Sequence, residues 1–310
     1  MPERMVVALG GNALVRKGDQ GTAPEQSERA RAAMQAISPL LTSGIQMVIT
    51  HGNGPTVGAI LLRQQLAQGT VPPMPLDVCG AESQGGIGYF LERALREVTQ
   101  LLQPQRPVAT LLSMVEVAQD DAAFQHPTKP VGPWLSAEEA AALAPGLALV
   151  HEDDRGWRRV VPSPNPRRIL NLDAIKALLD ADALVITLGG GGVPVARDAN
   201  QQLRGVEGVI DKDLSSSLLA RELGASTLLI LTDIDAVYQD FRGARRPLLR
   251  MHVAEAEHHL ANGEFLTGSM APKIEAAVAF LRAGGQRVLI GLPEMLSGLL
   301  SGTVGTTVLP

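Results

Sequence analysis

Asp211, Lys212 and Asp213 stand side by side in the stretch GVEGVIDKDLSSSLLA, between an apolar run and an apolar helix. Desolvating three charges at a strand-to-helix junction is costly unless they pair with each other, with a metal or with a charged ligand. The triplet is therefore a candidate for holding and neutralising an anion. A plainer reading stays open, in which Asp211 or Asp213, with Ser215 to Ser217 nearby, caps the free amides of the following helix. Of the 27 basic residues only five are lysines, at positions 17, 129, 176, 212 and 273. Lysine is a compact point charge that can follow a moving phosphoryl group, whereas arginine is a wide planar fork. Lys129 lies between Pro127 and Pro130, on a stiffened segment that favours an aimed charge. Lys273 follows Pro272 in the first turn of a helix, where a cation opposes the helix dipole unless an anion lies between them.

Glycine loops recur where apolar runs end. Met5 to Leu9 runs into Gly10-Gly11-Asn12, and Ile45 to Ile49 into Thr50-His51-Gly52-Asn53-Gly54-Pro55. Ala183 to Leu188 delivers Gly189 to Gly192, and Thr227 to Leu231 ends in Thr232-Asp233-Ile234-Asp235-Ala236-Val237-Tyr238. Such loops turn backbone amides toward an anion or serve as tight turns without one. Polar residues at the carboxyl end of a strand, followed by an aromatic, suit a nucleotide's ribose and base, and the aspartates suit a turn cap equally well. His51 reads more readily as a packed loop residue than as a catalytic base. Cys79, the single cysteine, reads as a small buried residue and suits a reducing compartment.

The elements needed to place these residues follow from the pattern. Continuous apolar runs predict buried parallel strands, and helical spacing predicts helices over 25–43, 57–68, 82–102 and 171–182. Alternation of the two predicts an α/β fold, a mostly parallel sheet with helices on both faces. The small residues Ser83 to Gly86 early in the third helix suggest close approach of another backbone, such as that of a second subunit. From about Glu116 to Arg168 the chain breaks into proline-punctuated pieces, predicting a small protruding lid with both tryptophans, Trp134 and Trp157, in a core of its own.

At 310 residues, 45% hydrophobic and 19% charged, the chain is long enough for one large α/β domain or two fused lobes. No apolar run reaches the ~18 residues that span a bilayer, and the N-terminus lacks a signal-peptide pattern. A net charge of −5 argues against a nucleic-acid partner. An anionic ligand must be held by local charges.

The pieces VVALGGNAL, THGNGP, PLDVCGAESQGGIGY, PTKPVGP, VVPSP, GGGGVPV, GVEGVIDKDLSSSLLA, ILTDIDAVY and GSMAPKIEAA together resemble the carbamate kinase group of the amino-acid kinase family, in the family's order and across nearly the whole chain. The resemblance implies an open αβα sandwich, a homodimer, a cytoplasmic setting and reversible phosphoryl transfer between ATP and carbamate, with magnesium. Formation of ATP from ADP and carbamoyl phosphate is the usual catabolic direction. It also implies an N-terminal acceptor lobe over 1–190, carrying the lid, and a C-terminal nucleotide lobe over 191–310. Lys129, Lys212 and Lys273 would neutralise the transferring and nucleotide phosphates, with Asp213 orienting the lysines. Gly10, Gly11 and Asn12 would donate to the phosphoryl group, and Gly52, Asn53 and Gly54 would hold carbamate. Gly190, Gly191, Asp211, Thr232, Asp233, Val237, Tyr238, Ser269 and Met270 are the expected nucleotide contacts, and no protein metal ligand is expected.

Three positions depart from the family pattern: Thr56 where glutamine is expected, Ala271 where glycine is expected, and Thr303 near an expected lysine. A kinase for another small carboxylate, or a nucleotide-binding sensor of the same fold, are the competing expectations. A nicotinamide-dependent dehydrogenase fails on spacing, because neither GGNALVRKG nor GNGPTVG is G-x-G-x-x-G.

Overall fold

Met5 to Leu9 is buried along its whole length, as are Met47 to His51 and Thr227 to Leu231 on either side of it. The computed structural model describes residues 2–11, 19–100, 102, 105–143, 147–152, 156–241, 243–265 and 270–310. In chain order the strands are β1 (Arg4–Leu9), β2 (Gln46–His51), β3 (Val108–Thr110), β4 (Met114–Val117), β5 (Lys129–Leu135), β6 (Leu149–Glu152), β7 (Gly156–Val161), β8 (Pro166–Ile169) and β9 (Leu184–Ile186). There follow β10 (Val193–Arg197), β11 (Leu203–Gly205), β12 (Thr227–Leu231), β13 (Val237–Gln239), β14 (Arg246–Leu248), β15 (Arg250–His252), β16 (Arg287–Gly291) and β17 (Thr306–Leu309). The helices are α1 (Ala23–Leu41), α2 (Gly54–Leu66), α3 (Leu76–Thr99), α4 (Ala137–Leu143), α5 (Leu172–Asp180), α6 (Lys212–Glu222), α7 (Val253–Ala261), α8 (Ala271–Arg282) and α9 (Leu296–Ser301).

The main sheet has the order β15-β17-β16-β12-β1-β2-β9-β3, and every pair in it is parallel except β16 with β17. Successive side chains of β1 go to opposite faces. Val6 and Ala8 join a core with α5, α6 and α8, while Met5, Val7 and Leu9 join one with α1, α3 and α9. Burial on both faces is why the strands read as unbroken apolar runs. The αβα expectation holds. One sheet runs through the chain on both sides of residue 190.

Three details differ from the sequence reading. The third helix begins at Leu76, directly after Pro75, because Leu76 and Cys79 bury against the lid side of the body. Within the segment expected to form a lid, β5-β7-β6 make a three-stranded antiparallel sheet of their own, whereas β4 and β8 belong to a separate sheet with β10 and β11, so that independent sheet covers less than 116–168. The tryptophans do not form its core. Both are half-buried, Trp157 against the His151 ring at 4.9 Å and Trp134 under the Arg158 guanidinium at 5.3 Å. The lid instead shares a core with the body, Val131 and Val161 packing with Val57, Leu61 and Cys79. At that seam the β5 and α2 backbones touch: a Cβ on Gly58 would lie 1.8 Å from Gly132 Cα.

Candidate active site

The register of the main sheet sets the site. Leu9 lies beside His51 and Leu231, so the loops after β1, β2 and β12 emerge together at the carboxyl end of the strands. Gly10 N donates to Leu231 O at 2.8 Å and Gly52 N to Leu9 O at 3.0 Å. The two turns meet backbone to backbone, since a Cβ on Gly52 would lie 2.8 Å from Gly11 N. Side chains there would fill the space that a ligand needs.

A cavity of about 150 Å³ opens at this edge, lined by Gly11, Gly52 and Gly190 together with Lys129, Lys212 and Lys273. Asp211 is the N-cap of α6, its carboxylate accepting from Asp213 N at 2.8 Å. It also pairs with Lys129, which β5 brings in from the lid. The capping and ligand-site readings of the triplet are thus compatible. Asp213 pairs with its neighbour Lys212 and, at 3.0 Å, with Lys273 at the third position of α8. The anion expected between Lys273 and the helix dipole is therefore, in part, Asp213.

The cluster holds three ammonium groups against two carboxylates, a formal surplus of one positive charge. It is well shielded: the Asp213 side chain is 3% exposed and those of Lys212 and Lys273 are 11% and 13%. Burial pushes the Asp213 carboxyl up, but the two lysines outweigh it and hold it well below the usual carboxylate range. Burial lowers the Lys212 ammonium, with Asp213 opposing and Lys273 adding repulsion. Burial also opposes the charge on Lys273, and Asp213 overcomes it, so that group is raised. Such a site gains by taking up an anion and loses by taking up a cation.

His51 is a packed residue. Its ring lies within hydrogen-bond distance of Gly52 O, Nδ1 to O 3.1 Å, and burial lowers its pKa to about 4. It is neutral at physiological pH. Cys79 is buried beneath the lid, away from the charged cluster, and burial raises its thiol pKa.

The expected nucleotide residues divide. Gly190 lines the cavity and Gly191 packs against Ile210 O, 2.6 Å from where its Cβ would be. Thr232 stands beside Gly10, its Cα 3.6 Å from where a Cβ on that glycine would be, and its hydroxyl donates to the exposed Asp233 at 3.2 Å. The Val237 side chain is buried and its amide donates to Thr306 Oγ1 at 2.8 Å, so it offers a ligand little. Tyr238 donates to Asp235 at 2.9 Å beneath the Arg245 guanidinium, and Met270 caps α8 against the apolar core. Asn12 and Ser269 lie outside the described residues. Of the departures, Thr56 is half-buried in the first turn of α2, Ala271 opens α8 against the core, and Thr303 is exposed beside Gly298 O.

Sequence reasoning missed the hydroxyls that fix α6. Ser215 donates to Gly191 O at 2.7 Å, Ser216 lies 2.6 Å from Thr50 Oγ1, and Ser217 donates to Ala276 O at 2.8 Å. The helix carrying Lys212 and Asp213 is thereby tied to the glycine turn, to β2 and to α8. The signal that could have found them was the SSS run itself, since buried serines inside a helix need partners.

The profile of the amino acid kinase family matches residues 3–291. The carbamate kinase of Pyrococcus horikoshii is 43% identical over 315 aligned residues, spanning 100% of both chains. The solved carbamate kinase from Giardia lamblia bound to citric acid matches with a TM-score of 0.94 and 39% identity, over 99% of this chain and 98% of that one. The Giardia enzyme bound to AMP-PNP matches with a TM-score of 0.90 and 39% identity over the same shares.

Proposed function

Because the chain belongs to the amino acid kinase family, and because its three lysines converge on one cavity beside two glycine turns, we propose that it is a carbamate kinase. It moves a phosphoryl group reversibly between a carbamate oxygen and the terminal phosphate of ADP. The observation that carries this reading is the surplus positive charge of the Lys129, Lys212 and Lys273 cluster, buried where backbone turns leave room for an anion.

Phosphoryl transfer asks a protein mainly to align the reacting oxygens and to neutralise charge spread over the moving group. Lys212 and Lys273 do the second, held apart and aimed by Asp213. Lys129 closes from the lid with Asp211 as its partner. Gly11, in the turn that Gly10 anchors through its bond to Leu231 O, sits where an amide can meet the phosphoryl group, the resemblance adds Asn12 to that side, and Gly52, Asn53 and Gly54 seat carbamate. The nucleotide lies across the loops that follow β12 and precede α8, with Gly190, Gly191, Thr232, Asp233, Tyr238, Ser269 and Met270 around it.

Among the described residues no three His, Cys, Asp or Glu side chains gather to hold a metal, and Asp211 and Asp213 are taken by lysines. We place magnesium on the nucleotide's phosphates, a common arrangement for that ion. There it would offset phosphate charge. The resemblance further supports a homodimer, to which the exposed Gly85 and Gly86 of α3 offer an open surface. A cytoplasmic setting and net formation of ATP complete the proposal.

The test is ATP formation from ADP, magnesium and carbamoyl phosphate, with acetyl phosphate as the control donor. Rapid ATP production from carbamoyl phosphate is expected. Folded protein that binds ADP yet makes no ATP from either donor would redirect the reading to another acceptor or to a nucleotide sensor.

A further inference from the structure

Asn53 follows β2, caps α2, is 5% exposed and stands on the cavity wall. Its amide has one orientation imposed on it. Ser83, fully buried in α3, has a single hydroxyl hydrogen and directs it to Gly80 O at 2.6 Å. Ser83 Oγ is then an acceptor toward Asn53, 2.8 Å away, and only the amide nitrogen can satisfy it. On the other side Gly190, at φ 62°, presses its backbone against the amide: a Cβ there would lie 2.1 Å from Asn53 Nδ2 and 2.6 Å from Oδ1. The amide oxygen accepts no hydrogen bond among the described residues, and it is not among the sealed, unbonded polar atoms. On a residue that lines the cavity, it is the amide atom left without a partner.

We propose that Asn53 Oδ1 reads the amino group of the phosphoryl acceptor, and that Ser83, the Gly80 carbonyl and Gly190 are positioning elements that lock the amide for this purpose. The inference rests on the carbamate reading above. An acceptor whose carboxylate carbon bears an amino group supplies the N–H that this oxygen requires. An acyl group with a methyl in that place leaves the oxygen dehydrated and unpaired, which a polar site rejects far more strongly than an apolar pocket rejects a surplus methylene.

The experiment compares the intact protein with Ser83→Ala and Asn53→Ala in ATP formation. It measures the KM for carbamoyl phosphate and the Ki of acetyl phosphate competing with it, so the control need not turn over. In Ser83→Ala the ratio of Ki to KM should fall about tenfold, through a rise in the carbamoyl phosphate KM, as expected for one lost hydrogen bond. Asn53→Ala should lower the ratio too, and it decides the matter if Ser83→Ala proves unfolded by its thermal transition. Folded variants in which KM and Ki change by the same factor, or a wild-type ratio near one, would overturn the inference while the carbamate reading stands. A wild-type protein that makes no ATP from carbamoyl phosphate would overturn both.

Discussion

Asp213 is one buried carboxylate serving two ammonium groups, so its removal leaves Lys212 and Lys273 facing each other without an anion. Asp213→Asn should cost about 3–5 kcal/mol of stability, the range for breaking a buried pair from one side. Denaturant unfolding would register this, and a variant as stable as wild type would contradict the pairing. His51 makes a separate, pH-dependent contribution. Folded, it resists protonation down to about 4, whereas its ordinary value is 6.5. On acidification the unfolded chain takes the proton first. The stability associated with neutral His51 is therefore complete above 6.5 and is lost as the pH falls toward 4, amounting to about 2–3 kcal/mol between about pH 7 and pH 4.5. His51→Gln should flatten that part of the pH–stability curve. A curve unchanged in shape would show that the buried ring is not what acidification attacks.

The lysines act from three different elements, and their geometry is only as good as the packing of those elements. Lys129 is three residues from Gly132 on β5, whose backbone rests on Gly58 of α2 with no room for a methyl group. Gly58→Ala should push the lid strand off α2 and move Lys129 from Asp211. The expected outcome is reduced turnover with ADP affinity nearly intact, measured by steady-state kinetics beside ADP titration. Unchanged turnover would mean that the lid's seat does not set the position of Lys129. The same scale shows what the sequence could reveal. The strands were legible because two-faced burial writes itself as continuous apolar runs, and the Lys273 conflict was legible because a cation at a helix start is locally wrong. The lid's core was not legible, because the partners of Val131 and Val161 come from α2 and α3, far away in sequence. The tryptophans misled for the same reason: size suggested burial, but only tertiary contacts decide it.

At the scale of the whole molecule, the parallel sheet delivers three glycine-bearing loops to one edge, and α6 and α8 bring their charges to it from behind. The family-level pattern made most of this site legible, since GGN, HGNGP, DKD and the Lys273 helix each stand at a strand end or helix start. What it could not supply was the role of residues that act through others. The run from Ser83 read only as a close backbone approach and Thr50 only as part of a glycine loop, and the hydrogen bonds they make exist only once α3, α6 and β2 are packed. The central claim is that the buried lysine cluster neutralises a phosphoryl group in transfer. It is tested most directly by turnover in ATP formation for Lys212→Ala, Lys273→Ala and Lys176→Ala measured side by side, Lys176 lying on α5 outside the cavity. The first two should lose about 100-fold or more, the scale of a removed charge-stabilising group, and the third less than about twofold. Losses of the same size in all three would contradict the claim.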